Sequence, residues 1–392
     1  MCKIAYLNIL CIATLLSCRS SVSEKNEVVA VIDYQDKKTI SIDNIHVDNQ
    51  FDGARLNGFS QLNDSTFQVL ITPENEPINK SAWYSFKIWS DIDREVILNI
   101  DYPGYAHRYV PKMSKDRKSW TKILNKETNS NQFKIELSSD PIWISGQEII
   151  SSKDIEEWID TQKKMAYVDH QVIGKSTLGR PMHLMKIKEE QAQNKMLIIG
   201  RQHPPEIPGG TLSLFAFVEE VLNDSPLSKS FRENVEILVF PNLNPDGVDL
   251  GHWRHNANGK DLNRDWQDFE EKETQLVRDH ISQYAAEDWV YGIDFHTSFS
   301  GPYLLVMDSL SARPSLLTQN WISKIKEQST EELDIRPRSQ DLPYCYNWMI
   351  TQLGMEAVTY EEGDEINRVI VKERAEEYAQ LLMTVILESL EN

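Results

Sequence analysis

Cysteine is scarce in this chain. Of its four cysteines, Cys2, Cys11 and Cys18 all fall at the very start, leaving only Cys345 beyond them. The folded part therefore has no internal disulfide and no cysteine-rich structural zinc cluster. Positive charge is scarce too. The 41 lysines and arginines are outnumbered by 60 aspartates and glutamates, a formal net charge of -19, which disfavours a nucleic-acid or anionic-membrane surface as partner. Beyond the first residues there is no long apolar run, and no repeat or low-complexity tract is evident. What remains is an ordinary globular composition, 40% apolar and 26% charged, over 392 residues. That length is enough for two domains, each with its own core.

The one apolar run, "MCKIAYLNILCIATLLSC", begins with a single lysine and ends Leu15-Leu16-Ser17-Cys18. A short basic start, a hydrophobic segment and a small residue before the cut are the form of an export signal. The segment is short for a permanent membrane span. A cysteine directly after a small residue resembles a bacterial lipoprotein box. That resemblance implies removal of residues 1–17, a lipid on Cys18, and an exported protein held at the cell envelope by its lipid anchor alone. Residues 18–27 are polar and read as a tether.

Two textures follow. Over 28–140, strand-length runs such as "VVAVIDY", "TISIDNIHV", "FQVLITP", "EVILNIDY" and "QFKIELSS" alternate with polar turn clusters, which predicts an antiparallel all-β sandwich domain. Over 141–392, helical patterns ("KDIEEWIDTQKKMAY", "TLSLFAFVEEVL", "EKETQLVRDHISQYAAE") alternate with buried strands ("NKMLIIG", "NVEILVFPNL", "WVYGIDFH"). That alternation predicts an α/β domain: a mixed, largely parallel sheet with helices on both faces. Ligands of such sheets bind beyond the carboxyl ends of the strands.

Chemistry gathers at those ends. "RQHPPEIPGG" places His203 and Glu206 just past one buried strand, in a turn whose prolines forbid a regular helix. His296 follows another strand in "GIDFHTS". Two imidazoles and one carboxylate make a catalytic zinc set with a fourth position left for water. One Zn2+ per chain is expected there, lowering the pKa of a bound water and polarising a carbonyl. The other histidines lack partner spacing, although His252 and His255 flank an arginine of interest.

The stretch "NLNPDGVDLGHWRHNANGKDLNRDW" carries a resemblance to a known family. Asn244-Pro245-Asp246-Gly247, Trp253-Arg254 and Asp261-Leu262-Asn263-Arg264 resemble the zinc carboxypeptidase family of the carboxypeptidase A type. The order His203, Glu206, Arg254, Asn263-Arg264, His296, Glu361 is similar throughout residues 150–392. The resemblance implies a metallocarboxypeptidase whose partner is a peptide or protein C-terminus. In it Asn263 and Arg264 hold the terminal carboxylate, which suits arginine's planar fork. Arg254 stabilises the oxyanion, and Asp261 orients a ligand histidine. Glu361 is the general base, with its neighbour Glu362 as the alternative.

One departure from the family concerns its mobile tyrosine, for which Ser339 stands at the expected position. Tyr344 and Tyr346 lie nearby, and Tyr346 falls near the position that lines the side-chain pocket. Arg336 or Arg338 is placed to reach in as well. The β-rich half resembles the domain that precedes the catalytic unit in cytosolic-type carboxypeptidases, through "SAWYSFKIW" and "HRYVPKMSKDRKSW". Two rival functions are a zinc amidase acting on cell-wall peptides and a non-catalytic surface-binding lipoprotein.

Overall fold

The computed structural model describes residues 35–124, 131–189, 192–308, 316–329 and 333–391. The signal segment, Cys18, the tether and the run "VVAVIDY" lie outside the described residues. From Gln35 onward the described residues form one compact unit. Among them, no helix is long and apolar enough to cross a membrane.

The first part is a two-sheet sandwich. One sheet has the order β1 (Thr39–Ile42), β2 (Ile45–Asp48), β5 (Ser85–Ser90), β10 (Ile142–Ser145), β7 (Lys112–Ser114), β8 (Thr121–Lys122). The other has the order β3 (Gly58–Gln61), β4 (Thr66–Leu70), β6 (Arg94–Asp101), β9 (Gln132–Leu137). Residues alternate between buried and exposed along β9, as expected for a sheet with one face on the core. Phe67, Val69, Phe86, Ile88, Leu98 and Phe133 fill the space between the sheets.

Three details differ from the sequence expectation. "TISIDNIHV" is a hairpin rather than one strand, because Asp43 and Asn44 take φ of 48° and 61°. Two successive residues in that region make the tight turn whose twist suits a two-residue hairpin. β4 and β6 run parallel, joined through β5 in the opposite sheet. The sandwich also continues past residue 140, since β10 pairs with both β5 and β7. Its isoleucines are drawn inward by the same core, and Pro141 merely precedes the strand.

The second part is an eight-stranded mixed sheet. Its order is β11 (Val168–Lys175), β12 (Pro181–Ile187), β14 (Val235–Phe240), β13 (Asn194–Gly200), β15 (Trp289–Ser298), β18 (Glu356–Gly363), β16 (Tyr303–Met307), β17 (Asp334–Arg338). The central four, β14, β13, β15 and β18, are mutually parallel. One face is covered by α1 (Ser152–Gln162), α2 (Leu214–Val221), α3 (Pro226–Asn234), α6 (Leu317–Gln328) and α8 (Arg368–Leu390). The short helix α4 (Pro245–Leu250) leads into the 251–255 loop. The opposite face carries α5 (Lys272–Ile281) and α7 (Cys345–Leu353). Helix α1 begins at a reciprocal cap, Ser151 and Asp154 each bonding the other's backbone N–H, which satisfies two otherwise unpaired donors.

Candidate active site

Strand β13 ends at Gly200, and the chain turns through Arg201, whose φ is 52°, into the segment that carries His203 and Glu206. A π-helical turn follows at Pro208–Ser213 in place of the regular start that the apolar pattern suggests. Its position depends on glycine: a Cβ on Gly209 would lie 1.7 Å from the carbonyl oxygen of His296. This close approach, with the Gly209 N–H donating to Thr297 Oγ1 at 2.8 Å, brings the turn against the end of β15. His203, Glu206 and His296 thereby meet, all three buried.

Their orientation is specific. Nδ1 of His203 lies 2.7 Å from Glu206 Oε1, and Nδ1 of His296 lies 2.7 Å from Glu206 Oε2. The far ring nitrogens are backed by carboxylates: His203 Nε2 by Asp261 Oδ1 and His296 Nε2 by Asp294 Oδ2, each at 2.9 Å. An Nε2–H held in this way leaves the Nδ1 lone pair free as a donor to a metal. The three ligand atoms lie within 4.8 Å of one another.

The electrostatics call for a cation at the same point. Burial by itself would lower the His296 pKa, but Asp294 and Glu206 outweigh it and hold the imidazole well above its ordinary range. Burial would raise the Glu206 and Asp261 carboxyls. His203 and His296 in the first case, and His203 with Arg254 in the second, keep both below the ordinary carboxylate range. The surrounding carboxylates thus favour positive charge at His296, and a divalent ion would supply that charge directly. Two histidines and a carboxylate converging in this geometry fit zinc.

Around this centre opens a cleft of ≈ 290 Å³, lined by His203, Glu206, His296, Glu361, Arg254, Asn263 and Arg264 among others. Glu361 is brought in by strand pairing, since it is the register partner of His296 between β18 and β15. Burial, helped by Glu206 and Asp294 and opposed by His296 and Arg254, pushes its carboxyl up to about 8. Among the described residues, Glu361 Oε2 has no hydrogen-bond partner. Glu362 faces the other way, fully buried and held by Arg374 at 2.7 Å and by the Tyr360 hydroxyl at 2.8 Å.

Arg254 reaches the cleft with its Nε bound to Asp261 Oδ2 at 2.7 Å. Asn263 accepts from the Cys345 N–H at 2.9 Å, and its Nδ2 lies 3.1 Å from His296 Nε2. Arg264 is partly exposed and stacks on the ring of Tyr344 at 4.4 Å.

Tyr344 lines the cleft, as does Tyr303. Tyr346 does not; it is buried in α7 within the core, because the helix starting at Cys345 turns it under the sheet. Arg336 stays at the rim, stacked on Tyr303 at 3.6 Å and paired with Asp334. His252 and His255 are buried in their own loop, where His252 Nδ1 lies 3.0 Å from the His255 carbonyl oxygen. A larger depression of ≈ 620 Å³ lies beyond Tyr344, floored by Trp266, Phe269 and Trp348, and contains none of the titratable cluster.

Sequence reasoning missed three participants. Asp294 stands two residues before His296 on one strand, and the period of two that puts both on one face was the available signal. Arg108 and Ser81 reach the cleft from the sandwich. Arg108 makes a two-pronged ion pair with Asp364, at 2.8 and 3.2 Å. Nothing in the local sequence marks a contact made across so many residues.

Known proteins resemble the chain in sequence and in fold. Residues 155–299 match the family described as zinc carboxypeptidase. Cytosolic carboxypeptidase 6 of Mus musculus is 22% identical over 246 residues, covering 56% of this chain and 45% of the mouse protein. The chain thus spans less than half the length of that relative. The crystal structure of a metallo-carboxypeptidase from Burkholderia cenocepacia superposes with a TM-score of 0.71 at 20% identity, covering 89% of this chain and 99% of that one. A metallo-carboxypeptidase from Pseudomonas aeruginosa, solved with (2-guanidinoethylmercapto)succinic acid, gives 0.72 at 16% identity, covering 88% and 99%. These likenesses establish the fold: an all-β domain preceding an α/β carboxypeptidase-like domain.

Proposed function

We propose that this chain is a zinc-dependent metallocarboxypeptidase that hydrolyses the C-terminal peptide bond of peptides or protein tails. The observation that supports it most is the convergence of two Nδ1 atoms on the two oxygens of Glu206, with Glu361 and Arg254 lining the same cleft. Zinc held by His203, Glu206 and His296 would supply a Lewis acid beside the scissile carbonyl and make a water acidic enough to attack near neutral pH.

The remaining work falls to side chains. Glu361 takes the proton of the attacking water and returns it to the departing amine, a role suited to a carboxyl that lines the cleft with one oxygen unbonded among the described residues. Arg254 donates to the carbonyl oxygen as it gains charge, and Asp261 on its Nε fixes the direction of that donation. Arg264 meets the substrate's free carboxylate with two parallel N–H groups, and Asn263 assists. Tyr344, stacked on Arg264, takes the place beside the terminal residue that the sequence reading gave to Tyr346. Export and a lipid on Cys18 complete the proposal and place the enzyme at the cell envelope.

The test is release of single amino acids from peptides with free C-termini by the zinc-loaded protein. Internal cleavage, or no release from any peptide, would overturn the reading.

A further inference from the structure

The loop that carries Arg254 is built into the sandwich rather than merely resting on it. Three consecutive backbone N–H groups, of Trp253, Arg254 and His255, point at one carboxylate, that of Glu74, at 2.7, 2.9 and 2.7 Å. Glu74 is fully buried and comes from the sandwich loop after β4. Successive N–H groups directed at one point form an anion-binding concavity, and here the anion is supplied by the chain itself, about 180 residues away in sequence. The Trp253 side chain enters the sandwich core, fully buried and edge-on to Tyr105 at 5.0 Å. Asn75, next to Glu74, bonds the His255 ring at 2.8 Å and the Gly259 carbonyl at 3.2 Å. Both flanks of Arg254 are therefore fixed by the sandwich, and Asp261 fixes its guanidinium from the other side.

A buried carboxylate is expensive unless it is paired. Burial would raise the Glu74 pKa, yet His252, Arg55 and the amides bring it below the ordinary range. A glutamine would fill the same space but turn an NH2 group toward at least one amide donor, so the loop requires a group that accepts through both of its terminal atoms, as a carboxylate does.

We propose that Glu74 is a positioning residue for Arg254, through which the β-sandwich sets the geometry of the group that meets the developing oxyanion. The inference rests on the carboxypeptidase reading above. Glu74 touches neither substrate nor metal ligand, and its influence runs through the backbone of residues 253–255. Misplacing Arg254 by a fraction of an ångström affects the transition state more than substrate binding, so the loss falls on kcat.

The experiment is a double-mutant cycle on the full, zinc-loaded chain with a peptide substrate. E74Q alone is expected to lower kcat about 100-fold with KM changed less than about three-fold and zinc content equal to that of the parent. Added to R254A, it is expected to change kcat by less than about two-fold, because the group it positions is already gone. Losses that multiply in the double variant, or an unchanged kcat in E74Q, would overturn the proposal. If E74Q fails to fold, E74D enters the same cycle, keeping the charge but shortening its reach. A second readout does not depend on turnover. Amide exchange in the variant should rise at Trp253, Arg254 and His255 while the β2–β5 ladder stays protected. Uniform loss of protection would mark a merely structural role, and no local change would overturn the proposal even for a protein without peptidase activity. A parent chain that releases no amino acid, yet shows the local exchange change, would sink the functional reading and leave the contact intact.

Discussion

His296 and Glu361 are register partners on adjacent parallel strands, so one pairing of the sheet places a metal-facing imidazole beside a carboxylate with an unbonded oxygen. The neighbouring residues, Thr297 and Glu362, are paired in the same way, and Glu362 turns to Arg374 on α8. The two adjacent glutamates should therefore fail differently when replaced. E361Q should remain folded, with an unchanged melting temperature, and lose at least about a hundred-fold in kcat. E362A should strip Arg374 of a buried partner and lose about 3–5 kcal/mol of stability, read from urea unfolding. The opposite pattern would exchange their roles.

Asp261 serves two groups at once, His203 through one oxygen and Arg254 through the other. D261N should weaken zinc binding by about 10- to 100-fold, measured by competition with a chelating dye. It should also lower kcat at saturating zinc, because Arg254 loses its guide. D294N should weaken zinc binding similarly without the second effect, since Asp294 bonds His296 and Gln202 but not Arg254.

Arg264 should contribute to recognition of the chain end. R264A is expected to lower kcat/KM about 10- to 100-fold on peptides with a free carboxylate, the range for hydrogen bonds to a charged group. The same peptides ending in an amide should be poor substrates for the parent and show almost no further loss in the variant. Equal losses on both would place Arg264 outside carboxylate recognition.

The sandwich carries an acid-sensitive group. Burial lowers the His107 pKa from 6.5 to about 4, against a smaller opposing pull from Glu365, and its Nδ1 lies 3.1 Å from the Tyr102 hydroxyl. The unfolded chain binds a proton at His107 between these two values and the folded chain does not, so this contribution to stability is full above 6.5 and lost as pH falls toward 4. H107Q should flatten that part of the profile, with the melting temperature falling less between pH 7 and 4.5 than in the parent. An identical fall in both would assign the acid sensitivity elsewhere.

Much of this was legible from sequence because strand ends are strongly marked. Runs such as "NKMLIIG" announce a buried strand, and His203 and His296 stand beside two of them, so the sheet could be assembled and its carboxyl end recognised. Tyr346 was misplaced because counting along the chain says nothing about where α7 begins. The Cys345 start of that helix, fixed by the bond to Asn263, decides which tyrosine faces the cleft. Asp43-Asn44 hid a hairpin because their positive φ is seen only in the folded backbone. Glu74 was invisible for a deeper reason: its three partners are backbone amides, which no side-chain pattern records.

The most direct test is to measure amino-acid release from a free-C-terminus peptide library before and after chelation, and again after zinc is restored. The account predicts stepwise loss of single C-terminal residues that chelation abolishes, that zinc restores in the parent, and that zinc fails to restore in E361Q. Release that persists without metal, or full restoration in E361Q, would contradict it.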